Sequence, residues 1–447
     1  MKRIILLWIV ATASAAHAAE PDQLAGRAVV QLSLRKAVQL GLSPEGNASL
    51  QLSGEEVRQA HARSAQARAA LLPDLEGSAG VQSVTRNLAA MGVRLDQDLP
   101  GWRIPHSVGP FNVVDARVSM TRSVLDLSAV RRYQASRIAV RAARAGYSDT
   151  RDQAASRIAH HYLAALRAEA SLEAVNENVR LAEAILKQAE TLSTAGTGTG
   201  IEVTRARVLL ANETQRLLVA ENDQSRARQE LLRAMGMRLD IAVELTDTLT
   251  YVPAELPAFE DAKAEALRSR SDFKAQLERQ EQARLTSSAA KFERAPSVKA
   301  FADYGSLGTG ISSAIPTRSV GISVQIPLFD GGRRQARTAE SESQYRQEKV
   351  RLNDLRDQID LQVRLALDAL RSTDQEVTVA SEGLTLAEKE LSQARRRYEV
   401  GLANSVEVAD AQARLATARD NRVVALYRHN VARIELAEAT GTIESIL

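Results

Sequence analysis

Tyr398-Glu399-Val400-Gly401-Leu402-Ala403-Asn404-Ser405-Val406-Glu407-Val408-Ala409-Asp410-Ala411 reads as a helix ending, a tight reversal and a second helix beginning. Glycine just past a helix end takes the left-handed conformation that closes it. The two carboxylates that follow suit the positive end of the next helix. The same figure occurs earlier in the chain. Gly196 and Gly401, Glu202 and Glu407, Val203 and Val408, Ala206 and Ala411, Leu210 and Leu415, and Gly236 and Gly441 are all 205 positions apart. Six pairs in one ungapped register mark an internal duplication, and the fold class follows from what each copy contains.

Upstream of the reversal, Val377, Ala380, Leu384, Ala387, Leu391, Ala394 and Tyr398 step by 3 and 4, the seam of a coiled coil. The first copy has the matching seam at Leu172, Val175, Val179, Ala182, Leu186 and Ala189. Alanine at alternate seam positions allows close helix approach. The helical pattern runs for about 70 residues from Leu127 and about 65 beyond Gly332. At 1.5 Å per residue such helices are about 100 Å long. Earlier in each copy a shorter helix is stopped by proline, at Pro73 and at Pro296.

After each proline the period changes to two. Leu75, Gly77, Ala79 and Val81 alternate with polar neighbours, as do Val114, Ala116, Val118 and Met120. In the second copy Val298, Ala300, Ala302 and Tyr304 also read as strand alternation, then Val320, Ile322, Val324, Ile326 and Leu328 against Ser319, Gly321, Ser323 and Gln325. This predicts strands near 75–84, 112–122, 297–305 and 318–328, with a long glycine- and proline-rich loop over 88–110. The expected organisation is a first repeat at 19–236, opening with a loose arm over 19–31, a linker at 237–260 and a second repeat at 261–447.

Met1-Lys2-Arg3, an apolar run from Ile4 to Ala13 and Ala16-His17-Ala18 have the order of a secretory leader, so residues 1–18 read as a signal peptide. Removing Lys2 and Arg3 lowers the formal net charge from +3 to +1, and nothing points to nucleic acid. The chain has no cysteine, hence no disulfide, thiolate metal site or lipidated N-terminal cysteine. Sparse glycine and proline, 23 and 11 in 447 residues, fit a mainly helical chain. After residue 20 no apolar run reaches the roughly 18 residues of a membrane helix. Any membrane passage must then be made by β-structure.

Strands that are apolar on one face and polar on the other, near 9–11 residues long, follow the porin pattern. Closing a barrel takes about eight strands or more, and open edges are not tolerated in lipid. Four strands per chain therefore require association. Two copies would supply eight and three would supply twelve; physical chemistry alone permits either.

The repeat, Pro327-Leu328-Phe329-Asp330-Gly331-Gly332-Arg333 before the last long helix, and the turn over Val400–Ala411 resemble the TolC family of outer-membrane efflux proteins. The likeness covers nearly the whole mature chain, although Ser123-Val124-Leu125-Asp126 matches Pro327–Asp330 only loosely. The resemblance implies a mainly α fold with a membrane β-barrel part, in which a homotrimer shares one 12-strand barrel continued by a periplasmic helical tunnel. It implies a location in the outer membrane of a Gram-negative bacterium, in contact with outer-membrane lipid. The expected partners are a periplasmic adaptor (membrane fusion) protein and an inner-membrane pump or ABC transporter, as in tripartite efflux or type I secretion. No cofactor is implied.

The resemblance also carries roles onto particular residues. Glu407 and Asp410 match acids that line the narrow periplasmic entrance and favour cations; helix N-terminal charge alone also explains acids there. Tyr398 and Glu202 match positions that hold the closed state by a hydrogen bond, while their ordinary roles would be seam residue and capping acid. Family members with a second constraint place arginine two residues after the turn glycine. Here that residue is Ala403, which leaves Arg205 as a candidate to lock the entrance. Gly196, Val400, Gly401 and Leu402 sit at the tips where adaptor hairpins touch. His160 and His161 are adjacent, point about 100° apart on a helix and do not chelate well. No nucleophile triad, phosphate loop or paired acid site is present, so the chain is expected not to be an enzyme. The competing reading is a periplasmic coiled-coil adaptor or scaffold without a pore, which would not need four amphipathic strands.

Overall fold

The computed structural model describes residues 30–43, 46–88, 90, 107–196, 198–400, 402–403 and 405–446. The expected leader, most of the expected arm, residues 89 and 91–106 of the long loop, and Gly401 lie outside them. The elements run β1 (Val30–Leu32), α1 (Leu34–Gly41), α2 (Ala48–Ala69), β2 (Asp74–Asn87), β3 (Ser107–Leu125), α3 (Leu127–Thr194) and α4 (Gly200–Ala234). After them come β4 (Val243–Leu245), α5 (Phe259–Ser269), α6 (Ser271–Phe292), β5 (Ser297–Gly308), β6 (Ile315–Gln325), α7 (Arg333–Glu399), α8 (Ser405–Thr440) and α9 (Ile443–Ile446). The two copies are close in length: α2 and α6 have 22 residues each, α3 and α7 have 68 and 67, and α4 and α8 have 35 and 36.

The four long strands form one antiparallel sheet in the order β2-β3-β5-β6, so the copies join where Val118 lies opposite Tyr304. The register puts the apolar positions of all four strands on one face. Leu75 opposes Met120, Met120 opposes Ala302, and Ala302 opposes Val320. That face is bare; Ile322 is 73% exposed and Val320 82%. On the other face Arg117 pairs with Asp115 at 2.7 Å and with Asp303 at 3.3 Å. Strands β2 and β6 are the sheet's edges. Strand β6 runs from 315 to 325 instead of the expected 318–328, because its partner β5 begins only after Pro296. Ile326 and Leu328 continue the alternation beyond the ladder. Strand β3 starts five residues before the expected 112, because β2 reaches Asn87 and pairs with Ser107 across a bulge at Val84/Arg86.

Each strand is continuous with a helix: α2 leads into β2, β3 into α3, α6 into β5 and β6 into α7. The helices repeat the sheet's order, with α2 against α3, α3 against α6, and α6 against α7. Further along, α4 lies on α3, α3 on α8, and α8 on α7. The result is a wall whose two long members, α3 and α7, run its whole length. Their N-termini are fixed by matching acids. Asp126 accepts from the Ala129 amide at 2.9 Å, and Asp330 accepts from the Arg334 amide at 3.2 Å. No helix among the described residues is long and apolar enough to cross a membrane.

The largest core lies at mid-length, where Leu32, Ile158, Tyr162, Leu231, Met235 and Ile434 pack together. One part of it differs from the sequence expectation: Val30 and Gln31, the end of the expected loose arm, form with Leu32 a strand that pairs in parallel with Val243–Leu245 of the linker. The Tyr162 hydroxyl, fully buried, reaches Asp247 Oδ2 at 2.8 Å and the Leu32 carbonyl at 3.0 Å. Burial, then the hydrogen bond to Asp247, raises its pKa well above the usual tyrosine range. The rest of the linker is strapped to α8. His429 Nε2 donates to the Val252 carbonyl at 3.0 Å, and Asn430 Nδ2 to that of Thr250 at 3.0 Å.

Candidate functional site at the helical tips

Far from the sheet, the two long hairpins end side by side. After α3 the chain turns through Gly196, whose φ of +74° is left-handed, and the Gly198 amide donates to the Leu192 carbonyl at 2.9 Å. After α7 it turns at Val400, and the Leu402 amide donates to the Arg397 carbonyl at 2.8 Å. That is a six-to-one bond of the kind that closes many helix ends. Val400 and Leu402 are exposed at the tip, as is Gly196 on the other hairpin.

Behind the tips lies a small core of Ala387, Leu391, Ala394, Val408, Ala411 and Leu415. Leu181 and Ile185 of α3 pack against it and tie the hairpins together. Beside it a cavity of about 320 Å³ is lined by Glu202, Arg205, Tyr398, Ile185, Leu209 and Val408, among others. The three residues singled out as gate candidates therefore share one cavity. Tyr398 is half-buried, and its pKa is raised, first by burial and then by the nearby charge of Glu202. No hydrogen bond joins the two side chains. The Glu202 carboxylate instead accepts from the Thr199 amide at 3.0 Å, closing a capping box at the start of α4.

Glu407 and Asp410 are exposed in the first two turns of α8, three residues apart on one side of the helix. Glu407 lies 3.4 Å from Arg397 on α7. Asp410 lies 2.7 Å from Arg414, which also reaches Glu390 of α7 at 3.0 Å. The sequence reading omitted these arginines. Arg414 could have been found, since it stands four residues after an aspartate on a helix. Arg397 could not, since its partner lies across the turn. His160 and His161 take separate roles: His160 Nδ1 is 2.8 Å from the Ser156 carbonyl, and His161 is 3.9 Å from Glu230. Among the described residues no group of three or more His, Cys, Asp or Glu could hold a metal.

Comparison with known proteins places this geometry in a broader setting. A family model described as "outer membrane efflux protein" matches residues 41–237 and 263–442, one segment for each copy. The outer membrane efflux protein BepC of Brucella suis is 27% identical over 285 residues, covering 62% of this chain and 59% of that protein. The chain thus aligns with less than two thirds of the Brucella relative's length. The pyoverdine export outer membrane protein OpmQ of Pseudomonas putida is 25% identical over 97% of this chain and 91% of its own. Among solved structures, the Campylobacter jejuni CmeC outer membrane channel superposes with a TM-score of 0.80 at 17% identity, covering 92% of this chain and 86% of its own. The Vibrio cholerae outer membrane protein VceC gives 0.78 at 19% identity, over 91% and 96%. At such identities these structures speak for the fold alone.

Proposed function

Because this chain belongs to the outer membrane efflux protein family, a family of Gram-negative outer-membrane proteins with a large periplasmic part and no enzymatic role, we propose that it is a passive exit duct. In this reading three copies join β6 of one to β2 of the next and close a shared barrel of 12 strands, while the α3 and α7 walls form a tunnel into the periplasm. The tips meet a periplasmic adaptor through Gly196, Val400, Gly401 and Leu402. The energy comes from an inner-membrane pump or ABC transporter, so the duct itself needs no cofactor. Glu407 and Asp410 form rings of carboxylates at the entrance. Tyr398, Glu202 and Arg205 restrain the tips in the closed state.

The observation that carries the proposal is the sheet: four strands with a mainly apolar face, interrupted by Arg122 and Arg318, and open at both edges. In water that face would stay unburied, and in lipid those edges would stay unpaired, unless copies of the chain close on one another. A pore-free adaptor has no use for such a sheet.

Reconstitution in planar bilayers tests the reading. The purified protein is expected to give discrete conductance steps, and no ion flux would contradict it. In the closed state Tyr398 would gain the hydrogen bond to Glu202 that this single chain lacks, and in the same assay Tyr398→Phe is then expected to favour the open state by roughly fivefold, the worth of about one hydrogen bond of 1 kcal/mol. An unchanged closed-state conductance would remove Tyr398 from the gate without touching the duct.

A further inference from the structure

The acids assigned to the entrance are not bare charges. Arg397 Nε stands 3.4 Å from Glu407 Oε1, and Arg414 Nη2 stands 2.7 Å from Asp410 Oδ2. Each has an ordinary explanation. A basic last turn suits the negative end of α7, and an aspartate four residues before an arginine is a common helix pair. Neither explains the sum. Between Arg395 and Arg414 four arginines face three acids, and Glu390, which shares Arg414 with Asp410, brings the formal charge to zero. The duplication adds another cation: Arg205 occupies in the first copy the register position that Asp410 holds in the second, three residues after Glu202. Arg207 beside Arg205 is already paired with Glu190 at 3.1 Å, so the first copy adds Arg205 against Glu202 and no net acid.

Charges of opposite sign about 3 Å apart act at a distance as a dipole, whose field falls off faster than that of either charge. Salt screens what is left within about 10 Å. An ion on the axis of a wide mouth would feel little of Glu407 or Asp410 while their partners stay in place.

We infer that Arg397 and Arg414 set the charge selectivity of the entrance. They neutralise the Glu407 and Asp410 rings, so the mouth passes anions and cations nearly alike and admits anionic cargo. The inference rests on the reading of Glu407 and Asp410 as entrance acids. Arg397 and Arg414 are then specificity-determining residues that act through the acids they pair with.

Reversal potentials across a KCl gradient, measured on heat-stable oligomers in planar bilayers, test this. The wild-type protein is expected to show a potassium-to-chloride permeability ratio near one. Removing both cations, as Arg397→Gln with Arg414→Gln, is expected to raise that ratio roughly threefold or more, as for unit charges uncovered several ångströms from the ion path in water. Arg397→Lys with Arg414→Lys should restore the wild-type value, because charge and not guanidinium geometry is at stake. Suppose instead that the glutamine variant leaves the ratio unchanged while Glu407→Gln with Asp410→Asn lowers it. The arginines would then only staple the hairpin, and the inference falls while the entrance reading survives. If neither pair of variants moves the ratio, the acids do not line the path and both readings fall.

Discussion

Ile322→Arg is expected to abolish assembly of the protein in the outer membrane. Ile322 is the eighth of the 11 residues of β6, 73% exposed, opposite Ala300 and in line with Val320 and Val324. The duct reading turns this face to lipid. An arginine on a barrel's lipid face costs up to about 2–4 kcal/mol, most at the midplane and less toward the interfaces, and three identical copies would incur the cost three times. The neighbouring Ser323→Arg places the same charge on the opposite face, beside polar residues and water, and should assemble. Heat-modifiable migration of outer-membrane fractions on a gel separates the two: Ile322→Arg loses the oligomer band and Ser323→Arg keeps it. If both variants assembled equally well, the apolar face would not meet lipid.

Gly236→Ala is expected to cost about 3 kcal/mol or more of stability, seen as a loss of folded protein or a large fall in Tm. Gly236 ends α4 with φ at +70°, where a side chain costs about 1–2 kcal/mol. Space is the larger obstacle: a Cβ would stand 1.8 Å from the backbone oxygen of Gly46, so the chain before α2 must move. Forcing extra atoms into packed structure adds about 1–3 kcal/mol. Gly196 supplies the control, having the same left-handed φ, +74°, with nothing within 4 Å of a new Cβ. Gly196→Ala should cost only the conformational part, about 1 kcal/mol. Equal losses for both variants would show that crowding at Gly46 plays no part.

The Gly236 comparison also shows how deep the duplication goes. Gly441, 205 positions later, has φ at +71°, and a Cβ there would meet the Arg270 backbone at 2.8 Å, just before α6. In both copies the returning helix ends on a glycine pressed against the backbone just before the copy's 22-residue helix, α2 or α6. The sequence register showed the pair of glycines; it could not show what they press against.

Other features divide along the same line. The long seams, the proline stops and the period-two strands were legible because each repeats a pattern over many residues. The pairing of β1 with β4 was not, since three residues carry almost no periodicity. A signal was nevertheless there, for Val30-Gln31-Leu32 and Val243-Glu244-Leu245 share one apolar-polar-apolar pattern. At the tips, Tyr398, Glu202 and Arg205 could be named from the sequence, and the structure gathers them into one cavity. That Glu202 spends its carboxylate on the Thr199 amide was open to reading too, because threonine followed three residues later by glutamate is a capping box. The Arg397–Glu407 contact depends on the geometry of a turn, which spacing does not fix.

The account stands or falls on whether copies of this chain complete one another's sheet. The most direct measurement is the mass of the protein extracted from the outer membrane in mild detergent, read by native mass spectrometry. Three chains in one particle, separating only on heating, is the predicted result. A single chain, stable and soluble without detergent, would contradict the account.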